Sequence, residues 1–556
     1  LDLNWMKINF NGIISSLENQ YEQSKNRYTF EFSNNAIKVF LGDFYPTMNL
    51  NSINGNRIRG IGAKVNYKFV NLNLIKGISS KEIQGNSKDG AMMISNFSKP
   101  QFGESGMIQI SRDNYSFRRD VNGFNIGMGF PEYFFLNVNL LKAKDNILSV
   151  YNFLPQSEIK LNSEILSLFD RGSQYLQKNQ NDTIIIYEDL KGYLPELVGQ
   201  NYTLELKDDQ WEGDSPKDNL IFGTDFLFSL DKKRIKIKTG LTLSLLNQNI
   251  WESISTVGEL DTLAADTTLD GKFLDSYDIP DKIEFINNFF QLGINQVPLV
   301  PIDVYSDKST FYKLMNLPSA IYDLNVSLRY AGQNINYKYI KVGSEFSSIV
   351  NPFVQTNFIG RSLSNRLRLF NNKMILFLKW FKKEEGIGRE DDNSIQTDKY
   401  IGNLSFYPGK NLPTISIGIS SIYRKNIKDR VEEAFINGVS SLTGNDTTYY
   451  IETDRREETA TQQFNIAITD FFKLAGEQRI SANLFSSEKK DLAFDSRIVS
   501  DEDYYSLRSS SNNISLNLHS LYSKYWESNF LFNSSFFNSG VATEKHPEFY
   551  EEQRIS

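Results

Sequence analysis

Cysteine is absent from the 556 residues, and histidine occurs only at positions 519 and 546. The first absence removes disulfide scaffolds, thiol nucleophiles and thiolate metal sites together; the second leaves little for a zinc centre. Proline is sparse, at 14 residues. No stretch approaches the ~20 consecutive apolar residues that a membrane helix needs. The nearest, 285–302, is uncharged but broken by Asn, Gln and Pro, and it reads as loop. A net charge of −7 is mild for this length and argues against nucleic acid as a partner. No cofactor is expected, because Gly-Ile-Gly at 60–62 and 386–388 lacks the strand-to-helix setting of a dinucleotide loop. The chain opens on Leu1, with no charged and then apolar leader, so a signal peptide is expected upstream of this piece.

Aromatic residues are abundant: 28 Tyr and 41 Phe bring the aromatic share to 13%. The mean hydropathy of −0.39 conceals many apolar residues by interleaving them with polar ones. Ile235, Ile237, Leu241, Leu243 and Leu245 alternate with Arg234, Lys236, Lys238, Thr242 and Ser244. Tyr322, Leu324, Val326, Leu328 and Tyr330 alternate with Asp323, Asn325, Ser327 and Arg329. The same period of two recurs from Ile61 to Phe69, Phe464 to Ile468 and Ile514 to Leu518. Each is a strand with one apolar face.

A soluble sandwich would show the same alternation, so connection lengths decide. Short turns are expected near Ser33–Asn35, Val70, Pro131, Asp231–Lys232, Ala331–Gln333, Asn371–Asn372, Gly409–Asn411, Ala475–Glu477 and Lys524–Trp526. Between them lie longer excursions, roughly 14–25, 43–55, 80–113, 144–218, 249–318, 348–362, 384–394, 425–458 and 488–509. Tight hairpins on one rim and long loops on the other define a transmembrane barrel. A chain of this length also exceeds one soluble core, whereas a barrel grows by adding strands.

The expected fold is therefore all-β: a large antiparallel up-and-down transmembrane β-barrel in the bacterial outer membrane. About nineteen strands are visible, and twenty or more are expected in the complete protein, with long outer loops carrying short helices. Residues 1–556 would be a barrel fragment truncated at both ends, with 539–556 an outer loop. Trp5, Phe40, Phe69, Tyr133, Trp380, Tyr407, Tyr423 and Trp526 sit at strand ends, as interfacial girdles require. Two excursions are large insertions. In 144–218 a helix is expected at Ser163–Gln177, then strands at Thr183–Tyr187 and Tyr202–Lys207. In 249–318 a helix is expected at Asp281–Leu292. Both are expected as an outer cap on the rim, with folding into the lumen as the alternative.

Candidate chemistry is limited. Arg57, Arg59, Lys64, Lys68, Lys236, Lys238, Arg329, Lys338 and Lys341 are expected on the lumen face, where basic rings attract small anionic solutes. A polar lumen would equally pair them with Asp225, Asp323 and other acids. His519 shares a strand face with Ser515, Asn517 and Ser523, but a triad needs an orienting group and an oxyanion site. Acid-rich stretches at 384–392, 429–433, 452–458 and 501–503 lack calcium-loop spacing. No catalytic, cofactor or metal residue is assigned. Arg at Leu243 is expected to cost ~2 to 4 kcal/mol or to abolish membrane assembly, and Arg at Ser244 to be tolerated.

The run Leu-Gly-Asp-Phe-Tyr-Pro from Leu41, then Asn-Arg-Ile-Arg-Gly-Ile-Gly-Ala from Asn56, resembles a group of large, uncharacterised outer-membrane β-barrel proteins of Bacteroidota and related Gram-negative bacteria. A second patch agrees: Val342-Gly-Ser-Glu-Phe-Ser-Ser, Asn351-Pro-Phe, then Leu363–Phe370 with Asn371-Asn-Lys. The resemblance implies architecture and no site residue. The expected function is a porin-like or transport channel with a polar lumen, embedded in outer-membrane lipid and inserted by barrel-assembly machinery. A plugged TonB-dependent-type receptor is one alternative. The other is a surface adhesion or secretion barrel acting through its outer loops, with 426–458 the place to look. The solute and oligomeric state stay open.

Overall fold

The computed structural model describes most of the chain; 86–91, 102–104, 167–173, 194–201, 207–213, 252–288, 299–316, 387–393, 427–431, 440–445, 454–456, 493–505, 543–548 and scattered single positions lie outside the described residues. Its main feature is one 22-stranded sheet. Two members are two-residue pieces, Asp2–Leu3 and Gln296–Val297; the other twenty form a wall. They are β1 (Met6–Ile13), β2 (Arg27–Ser33), β3 (Ile37–Phe44), β4 (Ile58–Tyr67), β5 (Val70–Ser80), β6 (Arg118–Phe130), β7 (Phe134–Asn146), β8 (Asp218–Leu230), β9 (Ile235–Asn247) and β10 (Ala320–Tyr330). The wall continues through β11 (Gln333–Val342), β12 (Phe358–Leu369), β13 (Met374–Glu385), β14 (Ile395–Phe406), β15 (Thr414–Asn426), β16 (Glu458–Lys473), β17 (Glu477–Asp491), β18 (Ser506–Ser523), β19 (Trp526–Ala542) and β20 (Phe549–Ile555). Each pairs antiparallel with the next. Among the described residues, no ladder joins β20 to β1.

The expected parity of connections is present. At one rim the turns are tight and carry left-handed residues: Lys68 at φ 48°, Asp231 at 46°, Ala331 at 47° followed by Gly332 at 76°, and Asn371 at 54°. Consecutive positive φ values, as at Ala331 and Gly332, suit the twist of a two-residue hairpin. At the other rim run the long excursions. One expectation fails: 549–555 is not loop but β20, which pairs Phe549–Ile555 with Ser534–Gly540. Its sequence, FYEEQRI, carries no clean alternation, so the period-two signal passed over it.

Cross-strand register keeps the two faces separate. Phe222, Phe226, Phe228, Leu363, Leu378, Tyr400, Ile419, Ile468 and Ile514 are large apolar residues left exposed on the outward face. An exposed apolar band of this size is what hydrocarbon covers. Phe69 at 48%, Tyr133 at 69% and Trp526 at 70% exposure ring the tight-turn rim. Phe40 departs from the expected girdle: it lies on the inner face, stacked on Phe44 at 5.8 Å.

The excursions between β5 and β6 and between β7 and β8 fold together. Their strands form a six-stranded sheet in the order Gln177–Asn179, Asp182–Ile186, Glu158–Lys160, Met92–Ser98, Gly106–Arg112 and Tyr202–Leu206. Met92, Ile108, Ile110, Ile159, Ile165, Ile185 and Leu190 fill one core beneath it. The two expected strands of 144–218 are present, and the expected helix starts at Ser163 as expected, with 167–173 outside the described residues. Ser163–Leu166 makes one turn, and Gln177 already belongs to a strand. The Asp281–Leu292 helix falls mainly outside the described residues; Phe289 and Phe290 stand in a turn.

Candidate functional site

The inner face of β5 to β8 is built from amides. Asn73 donates to Asn125 at 2.9 Å, Asn125 to Asn137 at 2.9 Å, and Asn137 to Asp225 at 3.3 Å. All four occupy one cross-strand row, since Asn73 pairs with Asn125, Asn125 with Asn139 and, diagonally, Asn137, and Asn137 with Asp225. An asparagine side chain both donates and accepts, so each passes its bond to the next and Asp225 ends the chain as acceptor. Asn49, from the loop after β3, donates to the same carboxylate at 3.1 Å.

That loop, 45–57, and the loop 343–357 after β11 both turn inward. They start eight strands apart, yet the Ser348 hydroxyl donates to Ser52 O at 2.9 Å. Between those ends they lie on the wall. Ile53 and Val350 join Phe44, Ile58, Ile75, Val121, Leu141, Ala143 and Ile221 in a buried apolar cluster on the inner face. Asn219 donates to Ser347 O at 3.3 Å and accepts from Ile349 N at 3.2 Å, while Arg119 donates to Ile349 O at 3.0 Å. Ser244 also donates to Ser347 O and is 1% exposed. Ser244 therefore lies under the second loop, and the expected tolerance of Arg there does not follow from its polarity.

The basic residues separate by parity. Lys64, Lys236, Lys238, Arg329 and Lys338 share the inner face, and none forms an ion pair among the described residues. Lys238, Asn325, Lys338 and Ser362 stand in one row, and Arg329, Asn334 and Arg366 in another. Arg366 and Arg368 are inner-face basic residues that sequence reading missed, although the alternation Arg366, Leu367, Arg368, Leu369 carries the signal. Lys68 occupies a tight turn with its Nζ 5.2 Å from the Tyr67 ring centroid. Arg57, Arg59 and Lys341 lie on the opposite parity or in loop. Arg59 makes two hydrogen bonds to the buried Asp43, at 3.0 and 2.9 Å, and ties it to Asn26 O at 2.6 Å.

His519 faces Glu527 at 3.7 Å on the inner face, and among the described residues no serine is hydrogen-bonded to it. Among the described residues no group of His, Asp and Glu is placed to hold a metal. The excursion between β15 and β16 carries a hairpin of Glu432–Val439 against Asp446–Thr453.

No family model matches the chain, and it matches no curated protein. Solved structures that it resembles include a BenF-like porin from Pseudomonas fluorescens at 9% identity, covering 99% of this chain and 94% of that one, with a TM-score of 0.27. The copper transporter OprC is 8% identical over 96% of this chain and 72% of that one, with a TM-score of 0.30. The ferric-catecholate import receptor Fiu from E. coli is 9% identical over 94% and 70%, with a TM-score of 0.24. At such scores the wall's own geometry carries the reading. One meander of antiparallel strands, apolar outside, polar inside, tight at one rim and long-looped at the other, is an outer-membrane barrel wall. The chain therefore has the fold of a large transmembrane β-barrel.

Proposed function

We propose that the barrel is a porin-like transport channel, narrowed by its two inward loops and biased toward small anionic solutes. The observation that carries this is the set of inner-face cations Lys64, Lys236, Lys238, Arg329 and Lys338, which share one face of the wall and form no ion pair among the described residues. Cations along a polar lumen raise the local concentration of anions, with Asp323 acting on Lys238 from the same face. The Leu41–Lys64 and Val342–Lys373 patches support an origin among Bacteroidota-like bacteria. Outer-membrane lipid and barrel-assembly machinery are the partners that this reading implies.

Single-channel recording of the complete protein in planar bilayers, beside heat-modifiable gel mobility, tests it. Stable steps with anion preference are expected, and replacing Lys238 and Lys338 by Gln should reduce that preference. A heat-modifiable barrel without conductance would overturn the open channel in favour of a plugged receptor. The Glu432–Thr453 hairpin supports a second reading, in which the outer loops bind other surfaces.

A further inference from the structure

We propose that the cleft between the two inward loops is a binding site for an uncharged, hydroxyl-rich solute of the saccharide class. The cleft is open on one side, has a volume of about 550 Å³, and is lined by Asn51, Asn54, Asn56, Phe353, Gln355 and Phe358, with aliphatic residues of β11 and its loop beside them. That volume lies within the ~300–1,000 Å³ usual for small-molecule sites.

Three features select the ligand. The side-chain amides of Asn51, Asn54 and Asn56 make no hydrogen bond with the described residues. Each offers a donor and an acceptor at once, and a hydroxyl group is the solute function that answers both. Phe353 is 87% exposed although its loop is anchored by the buried Val350 and Asn351. A ring held out in this way covers the apolar C–H face of a sugar and recovers the stabilisation that water denies it. The neighbouring charges cancel: Lys383 and Glu385 pair at 2.7 Å, and both hold Gln355, at 2.9 and 2.6 Å. An anion gains nothing here that a neutral solute lacks.

The site is also preformed. Gly55 N donates to Pro46 O at 2.9 Å and Ser348 to Ser52 O at 2.9 Å, so the amides are held in place before a ligand arrives. Gly55, at φ 74°, has open space around it where a side chain would stand. The cleft is lined by amides and rings rather than by the inner-face cations, although Lys338 stands two residues along β11 from the lining residue Ile340; the inference goes beyond anion preference and does not depend on conduction.

Equilibrium dialysis tests it on the full chain in an amine-oxide detergent, which contains no sugar, with labelled maltotriose and xylotriose as probes. Succinate and triglycine serve as comparators. Saturable trisaccharide binding that salt leaves unchanged is expected. Phe353→Ala should weaken it about tenfold, as should Asn54→Leu with Asn56→Leu, while heat-modifiable mobility stays that of the parent. Absence of saturable trisaccharide binding overturns the proposal. So does preferential binding of succinate or triglycine, or trisaccharide binding that neither variant weakens. Conductance is read separately: binding without current removes the channel and keeps the site, and current without binding does the reverse.

Discussion

A serine on the polar face of a strand is permissive only if nothing lies on top of it. Ser244 and Ser515 look alike in sequence, each flanked by aliphatic residues. Ser244 is buried beneath Ser347, whereas Ser515 is part-exposed on the inner face of β18, between Asn483 and Asn533. The test of facing therefore belongs in β18. Ile514→Arg places a cation in the outward band, where Ile514 is 52% exposed, and should cost ~2 to 4 kcal/mol near mid-membrane. Ser515→Arg should leave folding into vesicles unchanged, as read by urea titration. A second residue-scale expectation concerns Glu18 in the outer loop between β1 and β2. The Ser24 hydroxyl and the Asn26 and Lys25 amides, all bonded to its carboxylate at 2.7 to 2.8 Å, draw its pKa down from 4.5 to about 2. A depressed carboxylate contributes order that is fully present above pH 4.5 and is lost as pH falls toward 2. Carboxyl NMR titration should place the midpoint near 2, and Glu18→Gln should make 15–26 a protease target at neutral pH.

At the scale of elements, the strands were legible because a half-lipid, half-water wall forces period two on the chain. Lys236 to Ser244 shows it: Lys236, Lys238, Thr242 and Ser244 fall on one parity and Ile237, Leu241 and Leu243 on the other, with Thr239 the exception. The tight turns were legible through Gly, Asn and Asp, which tolerate left-handed backbone. The expected Ser163–Gln177 helix runs too far at its end because Gln177 carries no stop signal in sequence; its pairing with Ile184 places it in a strand. The two inward loops were not legible as such. Their contacts join residues near 50 to residues near 350, and no local pattern encodes that. Even so, the patches that resemble other large barrels, at 41–64 and 342–353, include these two loops, which meet at Ser52 and Ser348. Loosening them should widen the passage. Ser244→Arg cannot fit beneath Ser347 and should lift 343–357 from β8 and β9. Single-channel steps larger than those of the parent, with unchanged heat-modifiable mobility, are the expected result.

At the scale of the whole molecule, wall and cap are stabilised by different solvents. The wall turns its apolar residues outward to lipid and needs no core of its own. The cap has a water-facing outside and must bury Ile108, Ile159, Ile185 and Leu190 like any small soluble domain. Its attachment is narrow: Arg112, 1% exposed, donates to Gln84 O at 2.8 Å and to Val150 O at 3.2 Å. Beside it, Phe117 stands between Tyr115 and Trp251 at 5.3 and 5.6 Å. Burial lowers the Arg112 pKa only to about 10, so the guanidinium stays charged at neutral pH and its carbonyl partners remain bound to a cation. The cap has its own core, apart from the wall's apolar cluster, so the two should unfold separately. Ile185→Asn leaves an unpaired amide in the cap core and should cost it ~2 to 5 kcal/mol, enough to unfold a unit of this size. Trypsin should then cleave within 86–112 and 158–206, while the wall keeps its heat-modifiable band and its resistance to urea. Simultaneous loss of both would mean that the cap is part of the barrel's own folding unit, and that the wall depends on its rim.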